Sequence, residues 1–129
     1  MSQATTAQTF DTIIRHLQNE EMRMVRKRVF SLKNTEMQDW LHEDKMAVER
    51  FCHTYDSVGI MIRNGLIPKN IFLDNWGDSI KRGKPIVMPL IKKYRKDRNA
   101  VEIWDDYEWL AIEAEKHLKK IRKKHNKSF

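Results

Sequence analysis

The sequence predicts an all-α fold: a single-domain bundle of about five helices with a long central helix. Three observations carry that expectation. Apolar residues recur at intervals of three and four along most of the chain, the period of one helical face. No segment of useful length alternates apolar and polar residues as a half-buried strand does. The four glycines (Gly59, Gly65, Gly77, Gly83) and the prolines all fall between residues 56 and 95, so helix-breaking residues are confined to one region.

Residues 1–8 are small and polar and are expected to fray as a flexible N-terminus. The helical domain then spans 9–118, and 119–129 form a basic C-terminal helix end. Phe10, Ile13, Ile14 and Leu17 open the helical pattern. Met22, Val25, Val29 and Leu32 continue it with an offset near Asn19-Glu20, read as a kink or as two helices end to end. Arg23, Arg26, Lys27 and Arg28 fall partly on the opposite face.

Asn34-Thr35 marks the next start, with Gln38 at capping-box spacing from Thr35. From there Met37, Leu41, Val48, Phe51, Tyr55, Val58 and Ile62 repeat at helical spacing, interrupted at Asp44. This predicts a Met37–Ile62 helix as the spine of the bundle, bent near Asp44. Asn64-Gly65 ends it, because glycine adopts the left-handed conformation without a Cβ clash. Pro68 suits the start of a new helix, with Phe72, Trp76, Ile80 and Gly83 on one face. Gly83-Lys84-Pro85 predicts a second break, followed by a stripe of Val87, Leu90, Ile91 and Tyr94. Pro89 costs about 3 kcal/mol inside a helix, so it is either a kink or the true start of that segment. Asn99 and Glu102 give a further capping signal, after which Trp104, Tyr107, Ala111, Ala114, Leu118 and Ile121 form the last seam. Acids crowd its first turns and bases its last, the order that the helix dipole favours.

The run VGIMIRNGLIP, then FLDNWGDSI, then PLIKKYR, between Val58 and Arg95, resembles a bacterial domain-of-unknown-function family, the one numbered 4760. RKRVF at Arg26–Phe30 and Phe51 are similar to that family's earlier helices. The resemblance covers residues 10–118 and rests on hydrophobic spacing with a few Gly, Trp and Arg positions. It implies an all-helical fold and no established activity. Members are often preceded by a membrane-spanning segment, which is not carried over to this chain.

A length of 129 residues suits one domain. The apolar run Pro85–Ile91 is far short of the about 20 residues that cross a bilayer, so no transmembrane segment is expected. Met1–Phe10 lacks the basic start and apolar centre of a signal peptide. Cys52 is the sole cysteine, which excludes an internal disulfide and fits a reducing, cytoplasmic setting. The net charge of +7 is localised. Lys116, Lys119, Lys120, Arg122, Lys123, Lys124 and Lys127 lie after residue 115 with no acid among them, while earlier bases and acids are equal in number.

That tail is the candidate surface for nucleic acid or another anionic partner. Full engagement of phosphates predicts a log–log salt slope of about −6. The alternative is a solvated helix end that satisfies the dipole. Protein or anionic lipid is a further alternative, with only Leu118, Ile121 and Phe129 available to insert. Ile103, Trp109 and Leu110 widen the apolar face of the last helix, as a thick buried face or as a patch for a protein partner.

No catalytic, cofactor-binding or metal-binding residues are assigned. Glu49/His53 and Glu113/His117 place a carboxylate and an imidazole on one face, but the carboxylate-bridged bundle sites use i, i+3 spacing with further glutamates. His42-Glu43-Asp44 and Asp74/Asp78 lack any sign of the pocket that acid–base work requires. There is no phosphate loop, nucleophile motif or zinc-like cysteine pair. No Arg precedes a His at the interval used by small helical nucleases. Cys52 beside the seam reads as a packed side chain. The expected function is a non-enzymatic interaction, scaffold or accessory protein that meets another protein or a second copy of itself. The alternative is weak, sequence-independent nucleic-acid binding through the basic tail.

Overall fold

The computed structural model describes residues 3–128, and side chains from 6 to 126. It contains five α-helices: α1 (Gln3–Gln18), α2 (Glu20–Ser31), α3 (His42–Arg63), α4 (Lys69–Arg98) and α5 (Asp105–Ser128). No strand occurs among the described residues, and a single 3-10 turn, Met37–Asp39, lies between α2 and α3. The all-α bundle is as expected. The offset at residue 19 is a true junction: Asn19 is extended, and its side chain accepts the Met22 N–H at 2.8 Å. That is the N-cap arrangement, which supplies one of the acceptors a helix start lacks.

The spine does not begin where the seam suggested. Met37 lies in the 3-10 turn, Leu41 is 61% exposed, and α3 starts at His42. The reason is Asp44, whose carboxylate accepts the Leu41 N–H at 2.8 Å from the third helical position. The residue that interrupted the apolar pattern is the start signal. From Val48 to Ile62 the seam is buried as expected. At the far end Gly65 is left-handed, with φ 75°. The Leu66 N–H reaches the Met61 carbonyl at 2.9 Å and the Gly65 N–H reaches Ile62 at 3.1 Å, the paired bonds of a Schellman stop.

The second expected break does not exist. Lys69–Arg98 is one helix of 30 residues, the longest in the molecule, and it passes through Gly83, Pro85 and Pro89. Phe72, Ile80, Gly83, Val87, Leu90 and Ile91 are buried in one continuous phase across the supposed gap. Each large apolar side chain so buried contributes about 1.5–3 kcal/mol, and together they outweigh two prolines at about 3 kcal/mol each. Both prolines are exposed, on the side of α4 away from that stripe. Asn99 is likewise a stop and not a start. It is left-handed at φ 50°, and the Ala100 N–H closes onto the Arg95 carbonyl at 2.9 Å.

Glycines set the closest helix contacts. A Cβ on Gly59 would lie 2.6 Å from the Asp106 carbonyl oxygen, so α5 begins directly against α3. A Cβ on Gly83 would overlap the Phe51 ring, so that glycine is a notch that admits α3 into α4. Phe51 makes edge contacts with Phe30, Tyr55 and Tyr107, at 6.2, 4.8 and 5.9 Å between ring centres. The buried Tyr107 hydroxyl donates to the Ile80 carbonyl at 3.0 Å. The start of α5 is capped from a distance: the Asp56 carboxylate on α3 accepts the Tyr107 N–H at 2.9 Å.

Candidate interaction surfaces

The polar pairs singled out in the sequence are structural ties between helices. Glu49 accepts the Tyr94 hydroxyl, and burial together with that carboxylate pushes the phenol up to about 12. His53, its partner by spacing, is exposed. Glu113 takes Lys69 at 3.0 Å and Lys116 at 3.4 Å. The Lys69 hydrogen bond chiefly holds its carboxyl below the ordinary value. His117 reaches instead to Asp74 at 2.7 Å. Asp78 meets Arg82 at 3.4 Å and Arg122 at 3.8 Å. Asp74 and Asp78 thus hold α4 to α5. No group of three or more His, Cys, Asp or Glu among the described residues is placed to hold a metal. His42 and Glu43 are exposed, while Asp44 carries the Leu41 cap and pairs with Arg28 at 2.7 Å. Cys52 is fully buried, and desolvation pushes its thiol far above the range in which a nucleophilic thiolate forms.

The basic end is helical. Leu110, Ala111, Ala114 and Leu118 are buried on one side of α5. Lys116, Lys119, Lys120 and Lys123 fall together on the opposite side and are exposed. Lys116 and Lys119 meet Glu113 at 3.4 Å and Glu115 at 3.5 Å, and Arg122 nears Asp78. Lys124 is exposed, and the Lys127 side chain lies outside the described residues. The tail is therefore partly neutralised by acids that the net-charge count assigned to the body.

Of the apolar trio at and just before the start of α5, Leu110 is fully buried and belongs to the core, which removes it from any partner surface. Ile103 and Trp109 are half-buried, and the Arg63 guanidinium lies over the Trp109 ring at 4.3 Å. Trp76 is covered in the same way by Arg26, at 4.9 Å.

A further apolar exposure lies between α2 and α3, away from the last helix. Met24 on α2 and Met46 on α3 are 58% and 56% exposed. Between these helices run two adjoining hollows of about 520 and 540 Å³, which share Glu21, Val25 and Ala47 and so form one groove. Its floor is Val25 and Ala47, with the methionines along it. Arg50–Glu21 at 2.9 Å and Arg28–Asp44 at 2.7 Å tie the two walls. Both methionines lie off the seams, and that displacement was the available signal.

The model of the domain of unknown function DUF4760 matches residues 2–126. The chain belongs to that family. The match extends beyond the 10–118 expected from the central motifs and takes in α1 and almost all of α5. No curated protein and no solved structure gives a match. No helix among the described residues is long and apolar enough to cross a membrane.

Proposed function

We propose that this member of the family is a protein-interaction module that seats an amphipathic helix of a partner protein in the α2–α3 groove. The observation that carries the reading is the exposure of Met24 and Met46 along one apolar channel with a rim of both charge signs. Methionine is flexible and polarisable and packs against varied apolar faces, which suits a helix-binding surface. Glu21, Arg28, Glu43 and Arg50 around the rim fix register through charge complementarity. A single buried free thiol accords with a reducing cytoplasm as the setting.

The test is site-specific photocrosslinking in native cells from position 46, with position 92 on the exposed side of α4 as the control. A discrete adduct from position 46 alone, lost when Met24→Glu is added, supports the reading. An adduct with a second copy of the chain places self-association in the groove instead. Identical adducts from both positions, or none, rule the groove out.

A second reading rests on the one-sided placement of Lys116, Lys119, Lys120 and Lys123: sequence-independent nucleic-acid binding along α5. Removing two of these charges (Lys120→Gln with Lys123→Gln) is expected to lower the log–log salt slope for mixed duplex DNA by about 2. An unchanged slope removes that reading.

A further inference from the structure

A second cavity, of about 500 Å³, is bounded by the C-terminal end of α2, the middle of α4 and one turn of α5. Its size is in the range of small-molecule sites, and its wall has an unusual charge. Lys33, Lys81, Arg82 and Lys84 line it against a single acid, Glu115. Glu115 is engaged by Lys119 at 3.5 Å. Arg82 is engaged by Asp78 and lies over the Phe30 ring at 4.4 Å. Lys33, Lys81 and Lys84 have no acidic partner among the described residues, although Lys81 and Lys84 are half-buried. Three ammonium groups that no carboxylate engages thus border one cavity, where an anion would meet unneutralised positive charge. Phe30, Ile86 and Ala111 give the same cavity apolar wall.

The prolines add an independent feature. Pro85 has no N–H to give the Lys81 carbonyl, and Pro89 has none for the Pro85 carbonyl, so two backbone acceptors lack their usual helical donor. Lys81 and Pro85 both border this cavity. Pro85 and Pro89 border an adjoining hollow of about 600 Å³, with Lys33, Asn34 and Ile86 common to its rim. The combined site, where Glu36 of the second hollow joins Glu115 as the acids, still offers an excess of cations for an anion, acceptors for hydroxyl or amino donors, and apolar area for a flat body.

We propose that the α2–α4–α5 cavity binds a nucleotide, with Lys33, Lys81 and Lys84 on its phosphates and the proline-freed carbonyls taking its hydroxyl or amino donors. The site is separate from the α2–α3 groove, and its test does not depend on that reading. Titration calorimetry of the full chain with ADP, and with pyrophosphate as the phosphate-only probe, decides it. ADP is expected to bind at least about tenfold more tightly than pyrophosphate, because only ADP uses the carbonyls and apolar wall. Lys81→Gln with Lys84→Gln is expected to weaken ADP by about tenfold or more. Lys92→Gln with Lys96→Gln, two exposed lysines of α4 outside the cavity, is expected to leave it unchanged. Pro85→Ala, which restores a donor to the Lys81 carbonyl, is expected to weaken ADP and spare pyrophosphate. No ADP binding at millimolar concentration overturns the proposal. So does equal loss in both lysine pairs, which marks diffuse attraction, or equal affinity for the two probes, which marks a bare anion site.

Discussion

The Phe51 ring of α3 occupies the space that a side chain at Gly83 of α4 would need. The glycine is there for contact between helices, in the middle of the longest one. Gly83→Ala gains about 1 kcal/mol of helix propensity but overpacks the ring at about 1–3 kcal/mol. A net loss of about 1 kcal/mol is expected, read as a lower urea midpoint with an unchanged slope.

The Asp56–Tyr107 bond fixes the start of α5 from α3, and Asp56→Ala is expected to cost about 1 kcal/mol, as other lost caps do. Burial raises the Asp56 carboxyl above its ordinary 3.8, opposed by the Tyr107 N–H and reinforced by Asp106. The native state therefore holds this proton at a pH where the unfolded chain has released it. The contribution of Asp56 to stability falls as pH rises from 3.8 through the raised value. Asp56→Asn keeps an acceptor and is expected to flatten that decline, measured by denaturation between pH 3 and 7.

Asp44 behaves in the opposite sense. The Leu41 N–H, then Arg28, hold its carboxyl below 3.8, so its stabilisation is present above that value and is lost as pH falls through the lowered one. Asp44→Ala is expected to cost about 1–2 kcal/mol at neutral pH, and to remove this part of the acid sensitivity. Glu113, lowered chiefly by Lys69, is expected to contribute an acid-side loss of the same sign.

Pro89 is exposed within α4. Pro89→Ala returns a backbone donor and removes a helix penalty of about 3 kcal/mol, offset by about 1 kcal/mol of added unfolded-state freedom. A gain of roughly 1–2 kcal/mol in denaturant is expected, because the surrounding helix has already accommodated the ring.

Much of this architecture was legible in the sequence, and the failures have identifiable causes. The seams from Val48 to Ile62 and from Tyr107 to Leu118 are buried as their spacing required. The Gly65 stop is in place because φ there is positive. Gly83 and Pro85 suggest a break when each is read singly, whereas Ile80, Gly83 and Val87 keep one helical phase across them. Asp44 interrupts the apolar seam as a bend inside a helix would, although it caps a helix start, and Asn99 at a helix end suits either terminus until its bond is known. The α2–α3 groove and the α2–α4–α5 cavity were illegible, since each joins residues from helices whose packing no local pattern specifies.

The bond from Asp56 to Tyr107 spans 51 positions, and Phe51 leans on the same tyrosine. During synthesis the side of α3 that faces α5 therefore stays uncovered until residue 107 has emerged, although Phe30 of α2 and the Gly83 notch of α4 meet Phe51 earlier. Until then that side is open to adhesive encounters. The nascent chain is a natural client for chaperones, and truncations that stop short of residue 107 are expected to aggregate.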